Sequence, residues 1–219
     1  NSQANWNSGQ TPVAPVQGPG QVARVGSLTL PEPRLPASND TVILDRPGAN
    51  VAITLASGTH TIRKLYMREA MNITGGSLTV SYEPSPDSTP IAAQFSGPVL
   101  LAGAGSLSVH TLQVDAAQTF TLGGGTLSFH TINLMPHAAT PARIALTGNV
   151  TFSGQSGIPA TIANGAGSGS SGLVDLGGAA RTFNVVNVTA GIDFEMHVPM
   201  RNGALNKIGT GTLALNAAN

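Results

Sequence analysis

Two histidines occupy the same place in a repeated stretch of the sequence. Residues 101–114 read LAGAGSLSVHTLQV and residues 121–134 read TLGGGTLSFHTINL, which makes His110 and His130 equivalent positions. Two imidazoles stacked one repeat apart could share a metal ion or titrate together in the range of about pH 6. However, stacked identical side chains also arise from repetition alone, and no carboxylate recurs beside them. We therefore expect a stacked histidine ladder and no metal site.

A second candidate group alternates along one short stretch. Asp193, Glu195 and His197 are separated by Phe194 and Met196, so on a strand the three polar side chains would project from one face. Two carboxylates beside a histidine could carry out general acid and base catalysis or hold a hard cation. A polar outer face over a core strand is the simpler interpretation, and we expect that.

The densest charge cluster of the chain surrounds Tyr66 and Arg68. Arg63, Lys64 and Glu69 lie within a few residues of them, and Tyr66 and Arg68 would share one face of a strand. Polysaccharide lyases on β-helix scaffolds use a tyrosine or a basic residue to remove a proton from the sugar. A cationic side chain neutralises the uronate carboxylate in the same reaction. The cluster is compatible with that chemistry, but a solvated face is the simpler interpretation.

Composition excludes several classes of function. The chain has no cysteine, which rules out disulfides and cysteine nucleophiles, and its ten basic residues balance ten acidic ones. There is no G-x-S-x-G motif, and the glycine pairs at 103/105 and 123/125 precede strand-like rather than helical stretches. We expect no catalytic residue, no cofactor and no nucleic-acid partner.

The elements that would position these residues are short and β-like. Runs rich in Val, Ile, Leu and Thr occupy 41–44, 51–55, 60–67 and 72–82, and none has helical periodicity. A repeat of ~20 residues with glycine turns is typical of stacked coils in a parallel β-solenoid. The sequence therefore predicts an all-β fold, a parallel β-helix.

The repeated stretch predicts how the coils stack. Glycines and a hydroxyl residue precede Leu78, Leu107 and Leu127, and a fourth copy of this pattern is found at 213–215. Leu107 and Leu127 should therefore lie over one another in the core. After Val109 the next apolar residue, Leu112, no longer follows the alternation of every second residue. We therefore expect the chain to turn a corner at His110 and Thr111.

The solenoid is predicted over residues 39–219, after an irregular proline- and glycine-rich cap or arm at 1–38. Trp6 either covers the first coil or packs on a side face. Segments rich in Pro, Gly and Ser at 83–90, 136–141 and 154–172 are predicted as loops that leave the stack, the last being alternatively a hinge between two solenoid segments.

The C-terminal part of the chain resembles a known repeat. The matching positions are Gly203, Leu205, Lys207, Gly209, Gly211, Thr212, Leu213, Leu215 and Asn219. Their pattern resembles the autotransporter-associated β-strand repeat of passenger domains in Gram-negative bacteria. The resemblance implies a right-handed parallel β-helix presented outside the cell. We also expect the last coil to leave backbone N–H and C=O groups that could accept another copy's first strand.

These observations lead to one functional expectation and one alternative. The chain has few charged residues and no cysteine, and it opens at Asn1 without a methionine or a leader. These features favour an exported protein at the bacterial surface or in the medium. We expect a non-catalytic structural or adhesive β-solenoid that binds itself or other surface proteins, with self-association into a fibre or layer. The alternative is a β-helix that binds or degrades polysaccharide through the Tyr66 and Arg68 cluster. No stretch is apolar enough for membrane insertion.

Overall fold

The structure is a computed structural model that describes residues 22–24, 35–49, 51–81, 91–155 and 157–217. Trp6, most of the predicted N-terminal cap and the loop predicted at 83–90 lie outside the described residues. The described part of the chain is all β, with 17 strands and no helix. It accordingly contains no helix that is long and apolar enough to cross a membrane.

The strands are short apart from four long ones. In chain order they are β1 (Val22–Arg24), β2 (Thr41–Leu44), β3 (Ala52–Leu55), β4 (Thr59–Ile62), β5 (Lys64–Met67), β6 (Ala70–Ile73), β7 (Ser77–Val80), β8 (Ala93–Phe95), β9 (Val99–Val114), β10 (Thr119–Leu134), β11 (Arg143–Leu146), β12 (Val150–Ser153), β13 (Ala160–Asn164), β14 (Leu173–Val185), β15 (Phe194–Met196), β16 (Met200–Ile208) and β17 (Leu213–Leu215).

Every pairing between these strands is parallel, and the pairings form three ladders. The first ladder holds β3, β6, β11 and the first parts of β9, β10, β14 and β16. The second holds β4, β7, β12, the middles of β9 and β10 and the last parts of β14 and β16. The third holds β1, β2, β5, β8, β13, β15, β17 and the last parts of β9 and β10. From β3 onward the chain visits the first, second and third ladder in that order, again and again.

The core lies between the ladders, where alternate residues of each strand point inward. On the second ladder Leu78 pairs with Leu107, Leu107 with Leu127 and Leu127 with Phe152, and all four side chains are buried. The predicted stacking of Leu107 on Leu127 is therefore confirmed. The column continues into an aromatic cluster, in which the ring centroid of Phe152 is 4.8 Å from those of Phe183 and Phe194.

Two kinds of corner let one long strand serve all three ladders. Between the second and third ladders Val109, Thr111 and Leu112 are all buried, so the alternation breaks at the corner predicted there. Between the first and second ladders the register shifts after Gly124, and Gly125 has a φ of 81°. A Cβ on Gly125 would collide with the carbonyl oxygen of Gly105 on the neighbouring strand. Glycine is needed here for both backbone conformation and space.

The structure corrects two expectations about the C-terminal half. The segment 154–172 was predicted as a loop, but β13 lies within it, because the inward Ala160 and Ile162 supply two buried apolar positions despite the surrounding Gly and Pro. The fourth copy of the glycine and leucine pattern, at 213–215, belongs to the third ladder and pairs with β15, whereas the other three copies lie on the second. Segment 136–141 contains no strand and lies between β10 and β11.

Candidate functional site

The outer face of the second ladder carries two columns of hydroxyl side chains, which we call the hydroxyl face. Each of its strands contributes a hydroxyl residue, an intervening residue and a second hydroxyl residue. The strand pairing aligns both columns over five successive strands. The first column is Thr59, Ser77, Ser106, Thr126 and Thr151, and the second is Thr61, Thr79, Ser108, Ser128 and Ser153.

The spacing of the hydroxyl face follows from the β-sheet itself. Neighbouring strands lie about 4.8 Å apart, and residues i and i+2 on one strand lie roughly 6.6 Å apart. The ten side chains therefore form a regular grid that carries no charge and no aromatic ring. A hydroxyl can donate one hydrogen bond and accept two. Such a grid can form many weak hydrogen bonds with an extended neutral ligand that has its own regular repeat.

One residue from outside the ladder packs against this grid. Gln155, in the turn after β12, donates from Nε2 to Ser108 Oγ at 3.1 Å and to the carbonyl oxygen of Ser128 at 3.4 Å. The turn is closed by paired backbone hydrogen bonds between Gln155 and Ile158. These contacts hold the third and fourth positions of the second column in place and use one of the hydrogen bonds that Ser108 Oγ can accept.

The structure brings His110 and His130 together at the corner beside the hydroxyl face. Nδ1 of His130 is 3.3 Å from Nε2 of His110, and the two rings are nearly perpendicular with centroids 4.8 Å apart. Nδ1 of His110 is 3.0 Å from Thr111 Oγ1. Burial of the imidazole, together with the nearby His130, lowers the pKa of His110 and favours its neutral form.

The cluster around Tyr66 is less open than its sequence indicates. Arg68 forms an ion pair with Asp45 at 2.9 Å, and Arg63 lies 3.4 Å from Thr41 Oγ1. Lys64 keeps only 3% of its surface exposed. Lys64 is therefore withdrawn from the surface, whereas the Arg68 side chain keeps 69% of its surface exposed while it pairs with Asp45.

Glu69 and Tyr66 serve the fold in the same region. The carboxylate of Glu69 accepts hydrogen bonds from the backbone N–H groups of Arg46 and Val51, which ties the loop between β2 and β3 to the next strands. Tyr66 is half-buried on the third ladder, where it lies between Ile43 and Gln94 in the strand register.

Asp193, Glu195 and His197 do not form one polar face, contrary to the sequence prediction. Glu195 and His197 lie at the surface with Oε2 and Nε2 2.8 Å apart. Asp193 is instead 1% exposed and points into the protein. The alternation fails because β15 begins only at Phe194, so Asp193 still belongs to the turn before the strand.

The buried carboxylate of Asp193 joins three segments. Oδ1 accepts hydrogen bonds from the backbone N–H groups of Val188 and Thr189 at 2.7 Å, and Oδ2 accepts one from Thr212 at 2.7 Å. Burial alone would raise the pKa of Asp193, but these hydrogen bonds outweigh it and lower the pKa below its ordinary value. The group is a structural carboxylate and not part of a reactive site.

Sequence reasoning missed the hydroxyl face although the signal was present. The repeated pattern of glycine, hydroxyl residue, leucine and hydroxyl residue predicts the corners and the core through its glycines and leucines. Its hydroxyl columns appear only when the strand register is known.

Among the described residues, no three His, Asp or Glu side chains group together to hold a metal ion. Compared with protein-family models, with curated proteins and with solved structures, the chain shows no match.

The last strands form the exposed end of the ladders. Among the described residues β16 pairs only with β14, and β17 pairs only with β15. Leu215, at the core-facing position next to Met196, is 44% exposed, and Ile208 is 49% exposed. Lys207 occupies the register position beside the buried Phe183, and its Nζ donates to the carbonyl oxygen of Gly209 at 2.9 Å.

Proposed function

We propose that the chain is a right-handed parallel β-helix that acts as a non-catalytic structural or adhesive element outside the cell. Three parallel ladders visited in a fixed order, with a continuous apolar column between them, support the β-helix. Such a scaffold holds its surface side chains rigidly, because each strand is hydrogen-bonded to the strands before and after it. The low charge and absent cysteine support export.

The hydroxyl face is the observation that carries the adhesive role. It extends over five successive strands, and its regular spacing suits a partner that also repeats, such as a neutral linear polysaccharide or the surface of another repeat protein. Each hydroxyl contributes little on its own, since a single hydrogen bond adds about 1 kcal/mol net. Adhesion by such a surface depends on many contacts formed at once.

Self-association belongs to the same proposal and uses the exposed end. The outer edges of β16 and β17 offer backbone N–H and C=O groups, and Ile208 and Leu215 supply apolar surface beside them. An additional strand from another copy could pair there. This would lengthen the rod into a fibre or join rods within a layer.

The alternative function is a carbohydrate-binding or polysaccharide-degrading β-helix. The hydroxyl face favours binding of a neutral chain over cleavage of an acidic one. Replacing Tyr66 and Arg68 together tests cleavage: loss of lyase activity on uronate polymers in the variant would favour the enzyme, and cleavage that is absent or unchanged would remove it.

A pelleting assay with an insoluble neutral polysaccharide tests the adhesive role. We expect the intact chain to sediment with cellulose or chitin, and the variant Thr79→Lys with Thr126→Lys to lose most of this binding. The matched control places lysines at Thr54 and Thr121, which are outward positions on the first ladder, and should retain it. Equal binding by both variants would contradict the proposal, as would isolated round particles in electron micrographs where short rods or filaments are expected.

A further inference from the structure

Although the repeat alone predicts a stacked pair and no metal site, we propose that His110 and His130 bind a divalent transition-metal ion, with Zn²⁺ as the ion whose geometry they match. The site lies at the corner between the second and third ladders. It is independent of the proposed adhesive role, since it uses neither the hydroxyl columns nor the exposed end.

The distance between the facing nitrogens carries the inference. A tetrahedral zinc ion with Zn–N bonds of about 2.0–2.1 Å holds its two nitrogen ligands about 3.3 Å apart. Nδ1 of His130 and Nε2 of His110 are 3.3 Å apart in the structure. The spacing therefore fits two ligands of one ion, and binding would turn each ring so that its lone pair points at the ion and not at the other nitrogen.

Both rings are already positioned for this role. Strand pairing fixes the residues on either side of each histidine, since Val109 pairs with Phe129 and Thr111 with Thr131. Thr111 Oγ1, 3.0 Å from Nδ1 of His110, can accept the proton of that nitrogen, which places the lone pair of the ring on Nε2, the atom that faces His130. Hydrogen bonds of this kind orient metal-bound histidines and select their tautomer.

Metal binding also requires a change of tautomer in the second ring. In the metal-free pair one proton joins the two facing nitrogens, whereas in the complex each neutral imidazole keeps its proton on the other nitrogen, Nδ1 of His110 and Nε2 of His130. The number of protons on the pair is then unchanged. Two ligands leave positions on the ion for water or for a group of another molecule.

The imidazole ligands define the class of ion. Nitrogen ligands suit zinc, copper and nickel, whereas magnesium and calcium require oxygen ligands. We therefore expect Zn²⁺ to bind and Ca²⁺ and Mg²⁺ to fail, and we expect Cu²⁺ to bind more tightly than Zn²⁺ because of its general affinity for such ligands.

Titration calorimetry of the intact chain with Zn²⁺ in a non-chelating buffer tests the site. We expect one ion per chain at this pair and at least tenfold weaker binding in His110→Gln and in His130→Gln. The control variants His137→Gln and His197→Gln should retain it. Zinc binding that is absent, or is unchanged in both pair variants, would overturn the proposal.

Two further measurements keep the test valid if a pair variant unfolds. Nuclear magnetic resonance of the unmodified chain should show Zn²⁺ shifting the ring signals of His110 and His130 before those of His137, and shifts elsewhere first would overturn the site. Thr111→Val removes the orienting oxygen with little change in volume. It should weaken zinc binding about tenfold, and unchanged affinity would remove Thr111 from the proposal.

Discussion

At the scale of single residues, Asp193 shows how one carboxylate can hold a whole coil together. Its two oxygens accept backbone hydrogen bonds from the turn at 188–189 and from Thr212, which precedes the last strand. The carboxylate therefore joins two consecutive levels of the third ladder. Nothing comparable to a substrate-binding arrangement surrounds it among the described residues.

Asp193→Asn should destabilise the protein and change its response to acid. The amide keeps one accepting oxygen but places an NH₂ group opposite a backbone N–H, so we expect a loss of roughly 2–3 kcal/mol in the free energy of unfolding at neutral pH. Because the pKa of Asp193 is lower in the folded chain than in the unfolded one, its stabilisation is complete above about pH 4 and is lost as the pH falls through the folded pKa.

Urea denaturation of both proteins at neutral pH and at pH values below about 4 measures this effect. The difference between them should shrink as the medium becomes more acidic. Glu195→Gln is the matched control, since that carboxylate is at the surface beside His197. A difference that stays constant down to the lowest pH would show that the charge of Asp193 does not stabilise the fold.

At the scale of strands, the sequence predicts those elements whose apolar pattern is uninterrupted. The run at 41–44 coincides with β2, and the repeat at Leu107 and Leu127 predicts the register of β9 on β10. The sequence does not predict strand β13, because glycines and prolines surround its five residues and its inward positions are only Ala160 and Ile162. Local composition describes a segment, whereas the neighbouring strands decide whether that segment is paired.

The dependence of strand boundaries on neighbouring strands also explains which contacts of the candidate site residues could be predicted from the sequence. The contact between His110 and His130 follows from the repeat, since equivalent positions on consecutive coils must be neighbours. The burial of Asp193 does not, because it depends on where β15 begins and on N–H groups from Thr212, nineteen residues away. A pattern of alternating residues predicts a face only after the strand has begun.

Leu107→Ala should test whether the second-ladder column bears the stability of the fold. Leu107 is fully buried between Leu78 and Leu127, and its truncation leaves a cavity that rigid neighbouring strands cannot fill. We expect a loss of about 3 kcal/mol in the free energy of unfolding, measured by denaturant titration. Ser106→Ala, on the outer face of the same strand, should change stability by no more than about 0.5 kcal/mol. Equal effects would contradict the assignment of inner and outer faces.

At the scale of the whole molecule, the two ends of the ladders differ. Near the start of the stack Ile53, Leu55 and Ile62 are almost fully buried, whereas at the last level Leu215 is 44% exposed at a core-facing position. Among the described residues, the apolar column is thus exposed at its last level. In the proposed fibre, the growth surface would lie at β16 and β17.

We expect Lys207 to limit the proposed association at that end. It takes the place beside Phe183 where earlier strands carry an apolar residue, and an inward-facing charge at a sheet edge discourages further pairing. Replacing Lys207 with leucine should therefore lower the concentration at which copies associate by at least tenfold, as measured by sedimentation velocity. Arg201→Leu removes the same charge from the outward side of the same strand, beside Asp175, and should leave association nearly unchanged. If both substitutions promote association equally, net charge and not the core-facing position of Lys207 governs the end.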